Sequence, residues 1–198
     1  NENLSMRNTE FVTSTTIKLD KLSNKAKIQS VSLNDLYNEA VNKQLLNSHK
    51  PSVQPISPAD HFWLTSTYGY RYDPFTKGRR MHRGIDLAGR IGLKIYASGN
   101  GIVKSAGYNF HGYGKEITLN HDFGYESVYA HLNKILVSKG DTIRRGQLIG
   151  ELGSTGRSTG PHLHYEIRHY NKTVNPMYYF YEDLSPEEYI LITANSTN

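Results

Sequence analysis

The stretch from Gly153 to Glu166, GSTGRSTGPHLHYE, constrains the fold of this chain more than any other. Its glycines and proline, interleaved with Ser and Thr, predict turns and exclude a helix. The following residues, 162–168, read as a strand, and strand alternation places His162, His164 and Glu166 on one face and apolar side chains on the other. Two imidazoles on one face suit a metal ligand beside a catalytic neighbour, or merely a polar sheet face. The pattern alone does not decide between them.

Composition predicts a turn-rich, largely β domain. The 198 residues suffice for one domain of about 120–150 residues plus an extension. The net charge of +5 permits an anionic partner such as a cell-wall polymer, nucleic acid or a lipid surface. No run of five basic residues occurs, so we expect no specific nucleic-acid binding. The absence of cysteine excludes Cys-ligated zinc, thiol catalysis and disulfides.

The chain is predicted to consist of an N-terminal extension, residues 1–54, a β domain, residues 55–180, and a polar C-terminal tail, residues 181–198. In the extension, residues 1–30 show no sustained period and are predicted to be extended. One amphipathic helix is predicted over about 32–47, followed by a proline-rich strap. The chain begins without Met, so we expect a processed or trimmed fragment, which leaves open whether a signal peptide or membrane anchor lies upstream of Asn1.

Short apolar segments separated by Gly, Asn and Asp follow in the β domain. Their number and spacing predict an antiparallel sandwich or barrel. A strand that enters a turn is predicted over about 63–69, followed by a loop over 69–78. The further predicted strands span about 84–88, 94–97, 101–106, 115–120, 125–131, 142–144, 147–151 and 162–168.

Two further motifs complete a candidate metal site. His82 and Asp86 flank Gly84, and in an extended segment these positions share a face with room for an ion. A third histidine, His131, lies in the sequence YAHL. Three nitrogen or oxygen ligands with an open position are typical of a catalytic zinc site, and spare histidines beside it suit acid–base chemistry.

Together these motifs resemble the lysostaphin/LytM-type zinc metalloendopeptidases, which cut peptidoglycan peptides. The resemblance covers about residues 60–176 and rests on the order HxxxD, YAHL and GxxGxSTGPHLHYE, supported by GxRxDP upstream. It implies a barrel-like antiparallel β-sandwich, a duplicated hybrid motif, with a groove above one zinc ion. It also implies that His82, Asp86 and His164 bind the zinc, and that His131 and His162 are the catalytic histidines. Which of those two is the general base stays open.

The resemblance also implies a substrate and a place of action. We expect hydrolysis of peptidoglycan stem peptides, with D-alanyl–diaminopimelate bridges favoured over polyglycine bridges because no separate wall-binding domain is visible. A wall-cleaving enzyme acts outside the cytoplasm, in the periplasm or cell envelope, and a regulatory partner in the wall is conceivable.

Three alternatives remain. A non-catalytic LytM-like protein that binds or regulates other wall enzymes is disfavoured, since all five site residues are present. A biotinyl or lipoyl carrier domain is disfavoured, since no lysine has the required setting. Residues 1–58 could block the site, with Asn47 or His49 as the blocking ligand. His111 and His121 lie in turns and are predicted to be exposed, whereas His169 is predicted to face away from the site.

Overall fold

A computed structural model describes residues 2–74 and 76–180, with side chains from Thr9 onward. The chain divides into two compact units, Asn1–Leu45 and Leu46–Asn198. The predicted boundary of the β domain at residue 55 thus lies inside the second unit. The predicted tail, residues 181–198, lies outside the described residues.

A single long helix, α1 (Glu2–His49), forms the first unit and enters the second. The predicted helix over 32–47 lies within it, but the predicted start at Ser32 and the extended segment 1–30 are wrong. Thr13 and Thr15 show one reason: their hydroxyls donate to the carbonyls of Thr9 and Phe11, four residues earlier, at 2.8 and 2.7 Å. Residues that disfavour helix interiors are thereby accommodated.

Within its described residues, up to Phe180, the second unit contains thirteen strands, which pair antiparallel, and a short helix. The strands are β1 (Phe62–Ser66), β2 (Gly69–Tyr72), β3 (Arg79–His82), β4 (Ile85–Gly89), β5 (Lys94–Tyr96), β6 (Gly101–Asn109), β7 (Gly114–Asn120), β8 (Tyr125–Ala130), β9 (Lys134–Ile135), β10 (Thr142–Ile143), β11 (Leu148–Glu151), β12 (His162–His169) and β13 (Lys172–Val174), and the helix is α2 (Met177–Phe180).

One large sheet dominates this unit, with the order β1-β4-β12-β8-β7-β6-β10, while β13 also pairs with β12. A second sheet has the order β5-β11-β9, and β2 pairs with β3 as a separate hairpin. Buried apolar side chains from both larger sheets, including Ile95, Ile149 and Leu163, form one core between them. The mainly β, antiparallel sandwich expected from the sequence is confirmed.

The predicted strands correspond to nine of the observed ones, β1 among them, within a few residues at each end. The hairpin β2–β3 was missed because its first half was taken as a loop. The short strands β9 and β13 were also missed, since two or three residues carry no period of their own and pair only when the fold brings β11 and β12 beside them.

Among the described residues, no helix combines the length and hydropathy that a bilayer span requires.

Candidate metal centre

Three neighbouring elements deliver the predicted metal ligands to one point. His82 ends β3, Asp86 lies in β4, and His164 lies directly opposite Asp86 in the β4–β12 ladder. Gly84 makes the connection possible, because a Cβ at this position would lie 2.2 Å from the carbonyl oxygen of Tyr165. The chain can therefore pass tightly over β12 only with glycine here.

The three donor atoms are spaced like the corners of a small coordination polyhedron. His82 Nε2 lies 3.1 Å from both Asp86 Oδ1 and His164 Nδ1, and the latter two atoms are 2.8 Å apart. Zinc–ligand bonds of about 2.0–2.1 Å in a tetrahedron separate the ligand atoms by about 3.3 Å. The set of two imidazole nitrogens and one carboxylate oxygen thus fits a zinc ion with one further position for water or substrate. Among the described residues, His82, Asp86 and His164 form the group of His, Asp or Glu side chains whose ligand atoms are close enough together to hold a metal ion.

Each candidate ligand is oriented by a partner on its other side. His82 Nδ1 donates to the carbonyl of Thr67 at 2.8 Å, so Nε2 is left with its lone pair for a metal. Asp86 Oδ2 accepts from Arg71 Nη2 at 3.0 Å, which directs Oδ1 toward the two histidines. Such outer partners hold metal ligands in place and raise metal affinity.

Glu166 supplies the corresponding partner of His164. Its fully buried carboxylate lies 3.1 Å from His164 Nε2 and accepts from Tyr113 Oη at 2.6 Å. Its second oxygen accepts from Arg168 Nε and Nη2 at 3.0 and 2.7 Å. The hydrogen bond to Glu166 gives His164 the tautomer whose Nδ1 is available for a metal.

The electrostatics of this region favour a bound cation. Although burial raises the pKa of Glu166, its hydrogen bond and charge interaction with His164 lower it to about 2. Burial likewise opposes ionisation of Asp86, but the hydrogen bonds from His164 and His82 hold its pKa well below the usual range. Burial, followed by the charge of Glu166, raises the pKa of Tyr113 to about 12, so this phenol remains a donor. Two ionised carboxylates thus face the two histidines.

The two predicted catalytic histidines lie beside this centre. Their ring centroids are 4.7 Å apart, and His162 Nε2 lies 3.8 Å from Asp86 Oδ1. His131 Nδ1 is 2.8 Å from the carbonyl of Thr155, and His162 Nδ1 is 2.8 Å from the carbonyl of Gly160. A carbonyl only accepts, so both Nδ1 atoms carry protons, and Nε2 is the atom at which each ring can gain or lose a further proton.

His131 is held in an unusual backbone conformation. Its φ of 62° lies in the left-handed region, which side chains other than glycine rarely adopt. Its amide donates to the carbonyl of Tyr113, which fixes the position after β8. Burial, with a further contribution from the charge of His162, lowers the pKa of His131 to about 4. The His131 ring is therefore neutral near pH 7.

Arg157 joins three segments that surround the centre. It belongs to the loop before β12, its amide donates to the carbonyl of Gly112 at 2.8 Å, and its Nη2 donates to the buried Asp73 at 2.7 Å. Asp73 also accepts from Arg80 Nη1 at 3.4 Å. The loops before β12, after β6 and after β2 are therefore joined through the backbone and side chain of one residue, Arg157.

The structure brings together all five residues predicted for the site, although their chemical roles stay predictions. His111 is exposed and His169 stacks on Tyr125, 4.2 Å between centroids. The prediction that His121 is exposed is wrong, since its side chain is fully buried beneath Gly99 and Gly101.

The conceivable blockers lie elsewhere. His49 contacts Phe123 and Asp122 in the turn after β7, and the carbonyl of Asn47 accepts from Arg145. These contacts involve none of the five site residues. Autoinhibition by these two side chains therefore gains no support from the described contacts.

Sequence reasoning missed the partners that orient the ligands. Arg71 appeared only in the GxRxDP motif that supports the resemblance, and neither Tyr113 nor Arg168 was predicted to orient a metal ligand. For Glu166 a signal existed, because strand alternation had already placed it on the face of His164.

Both the fold and the three-ligand centre with its flanking histidines define a metallopeptidase domain of the β-sandwich type. Residues 80–176 match the model of Peptidase family M23. The catalytic domain of lysostaphin from Staphylococcus simulans is 32% identical, with a TM-score of 0.54, and the similarity covers 61% of this chain and 92% of that one. The chain belongs to peptidase family M23.

Two further relatives indicate the chemistry of the family. A zinc-containing peptidase from Vibrio cholerae is 38% identical, with a TM-score of 0.57, over 66% of this chain and 39% of that one. The DD-carboxypeptidase/endopeptidase Mpg of Neisseria meningitidis is 42% identical over 122 residues, 62% of this chain. The matched segment spans only 28% of the length of the Neisseria protein.

Proposed function

We propose that the chain is a zinc-dependent endopeptidase that hydrolyses peptide cross-links of bacterial peptidoglycan. The observation that carries this proposal is the convergence of His82, Asp86 and His164 beside two histidines that can each gain or lose a proton at Nε2. A structural zinc site would need neither the open position nor the neighbouring bases.

The donor set fits one zinc ion, held by His82 Nε2, Asp86 Oδ1 and His164 Nδ1. When bound, zinc supplies Lewis-acid chemistry, since it polarises a carbonyl and lowers the pKa of water toward about 7. The outer partners Arg71 and Glu166 keep the ligands in the productive orientation. Related metals with similar ligand preferences are the main competitors for this site.

His131 and His162 carry the proton transfers in this proposal. The Nε2 atom of one accepts a proton from the attacking water as the carbon–oxygen bond forms, and the imidazolium donates it to the leaving amine as the peptide bond breaks. The other Nε2 stabilises the negative charge that develops on the carbonyl oxygen, which requires that it be protonated. A pKa of about 4 keeps the His131 ring neutral near pH 7 but also makes it a weak base, so this pKa does not assign the two roles between His131 and His162.

The substrate we propose is a D-alanyl–diaminopimelate cross-bridge. The similarity to a protein named as a DD-carboxypeptidase/endopeptidase supports this choice. This substrate places the site of action in the cell envelope, outside the cytoplasm.

A digestion assay with purified muropeptides tests the proposal. Zinc-loaded protein is incubated with diaminopimelate-type cross-linked dimers, and products are measured by mass spectrometry. We expect dimers to become monomers, and His131→Ala and His162→Ala to lower the rate by at least about 100-fold. His61→Ala is the matched control, because His61 is exposed outside the site and its loss should leave the rate unchanged.

Two results would reject the proposal. If both histidine variants digest dimers at the wild-type rate, the assigned acid–base chemistry is wrong. If zinc binds with one ion per chain but dimers of several wall types stay intact, the non-catalytic, wall-binding alternative replaces the enzyme.

A further inference from the structure

A heptad pattern of apolar side chains follows α1 over about four heptads. Apolar residues occupy every first position of the repeat, and leucines occupy two of the fourth positions, separated by a glutamine. The first (a) positions are Val12, Leu19, Ala26, Leu33 and Ala40, and the fourth (d) positions are Thr15, Leu22, Gln29, Leu36 and Lys43. Apolar a and d positions sustained over three to four heptads are typical of a coiled coil.

These side chains have no core to pack against within their own unit. The leucines Leu19, Leu22, Leu33 and Leu36 are 60–67% exposed, and every described side chain of α1 from Thr9 to Leu45 is exposed. Most of the stability of a helix in a protein comes from the packing of an apolar face rather than from local propensity. α1 has 48 residues and is about 72 Å long, and its a and d side chains, which form the seam of the repeat, are exposed to water. This seam therefore requires a partner to pack against.

We propose that α1 forms a parallel, in-register, two-stranded coiled coil with a second copy of this chain. In this arrangement each residue at position g lies near the residue five places later, at position e, of the other helix. Lys18 and Lys25 then face Ser23 and Ser30 of the second copy, and Glu39 faces Gln44. None of these g–e pairs brings like charges together. The one like-charge pair of the seam is at its last d position, where Lys43 lies opposite Lys43 of the second copy.

The polar d positions support the same arrangement. In register, Gln29 lies opposite Gln29 of the second copy, where the two amides can hydrogen-bond to each other. Any shift by one heptad would place Gln29 opposite a leucine, Leu22 or Leu36, and bury an unpaired amide. The glutamine therefore selects the register at which the two chains align.

The oligomeric state of the full chain tests the proposal. Sedimentation over a concentration series reaching about 200 μM is expected to show twice the chain mass of 22.5 kDa. The double variant Leu22→Asn, Leu36→Asn is expected to raise the dimer dissociation constant by at least about 100-fold, because it removes two seam leucines from each helix.

The matched control removes apolar side chains from the opposite side of the helix. Ile17 and Val31 are 51% and 63% exposed but occupy the outward f position of the repeat. Ile17→Asn, Val31→Asn is expected to leave the dissociation constant within about threefold of the wild type. Three results would overturn the proposal. The leucine variant dimerises as tightly as the wild type, the control variant loses the dimer to the same extent as the leucine variant, or the wild-type chain stays monomeric at every concentration.

The absence of cysteine allows a direct test of chain direction. Thr15→Cys at a d position near one end of the seam places two thiols side by side only if the helices are parallel and in register. We expect oxidation to yield a cross-linked dimer for Thr15→Cys and none for Asn24→Cys, which is at an outward position. If the Thr15→Cys variant forms a dimer that oxidation does not cross-link, the parallel arrangement is overturned.

Discussion

His121 lies in a buried chain of hydrogen bonds that makes folding stability depend on pH. Its Nδ1 donates to the carbonyl of Asn100 at 2.7 Å, and its Nε2 lies 2.6 Å from Ser127 Oγ. The chain continues from Ser127 to the phenol of Tyr129. A protonated His121 would place a charge in this interior, and burial accordingly lowers its pKa from 6.5 to about 4.

The sign of the linkage follows from the direction of this shift. The unfolded chain takes up the proton as pH falls below about 6.5, whereas the folded chain takes it up only near pH 4. The contribution of neutral His121 to stability is therefore fully present above pH 6.5 and is lost as pH falls through this window. The loss amounts to about 1 kcal/mol at pH 5.5 and approaches about 3 kcal/mol below pH 4.

Comparison with His121→Gln isolates this effect. Glutamine keeps a donor and an acceptor but does not titrate, so other titrating groups, including His131, contribute equally to both proteins. Free energies of unfolding from urea titrations at pH 7.5, 6.5, 5.5 and 4.5 are expected to fall more steeply for the wild type, by the amounts given above. The near-ultraviolet CD of the buried tyrosines reports the unfolding of this unit.

Parallel stability curves for the two proteins would refute this reasoning. If the glutamine variant fails to fold, NMR titration of the His121 ring in the wild type decides instead. Its resonance should not shift between pH 7.5 and about 5.5. A midpoint near 6.5 would show that burial does not exclude the charge.

Three further outcomes are expected. Glu166→Gln should weaken zinc binding by about 10–100-fold in competition with a chromophoric chelator, because a neutral amide no longer attracts the proton on Nε2 of His164; unchanged affinity would deny Glu166 this role. Gly84→Ala should destabilise the fold by at least about 3 kcal/mol in urea titrations, because its Cβ would meet the Tyr165 carbonyl at 2.2 Å. Gly107→Ala, which meets nothing within 4 Å, is its control and should be near neutral. Chelation of zinc should lower Tm by mass action, and a Tm independent of zinc would contradict binding to the folded state.

The sequence predicted the strands that carry their own period and missed those that do not. In β12 the alternation of apolar and polar residues is strong enough to place His162, His164 and Glu166 correctly on one face. In α1 the apolar residues are exposed, and within the first thirty residues the heptad positions Val12, Leu19, Leu22 and Ala26 are too sparse to form a continuous 3.6-residue face, so this segment was not predicted as a helix. In the coiled coil that we propose, the contact face of α1 follows a seven-residue repeat, and the sequence reveals this face only through that repeat.

The metal ligands and their supporting partners differ in what a sequence can reveal about them. His82 and Asp86 are close in the chain and form a recognisable spacing, whereas the pairing of Asp86 with Arg71 depends on how the hairpin β2–β3 folds beside β4. Likewise, Tyr113 reaches Glu166 from a loop 53 residues away. No local pattern contains such contacts, because they are set by strand order and register.

The burial of His121 also depends on contacts that local sequence does not contain. Its turn-like surroundings predicted exposure, but Gly99 and Gly101 let two backbone segments approach so closely that a Cβ on either would lie 3.1 or 3.0 Å from the imidazole. The glycines that marked the segment as a loop are the residues that let it cover the histidine. The buried imidazole is hydrogen-bonded to Ser127, which donates to the phenol of Tyr129. Tyr129 is the last residue but one of β8 and lies two residues before His131. His131, one of the two histidines proposed to transfer protons, thus directly follows a strand whose buried Ser127 and Tyr129 form one hydrogen-bonded network with His121.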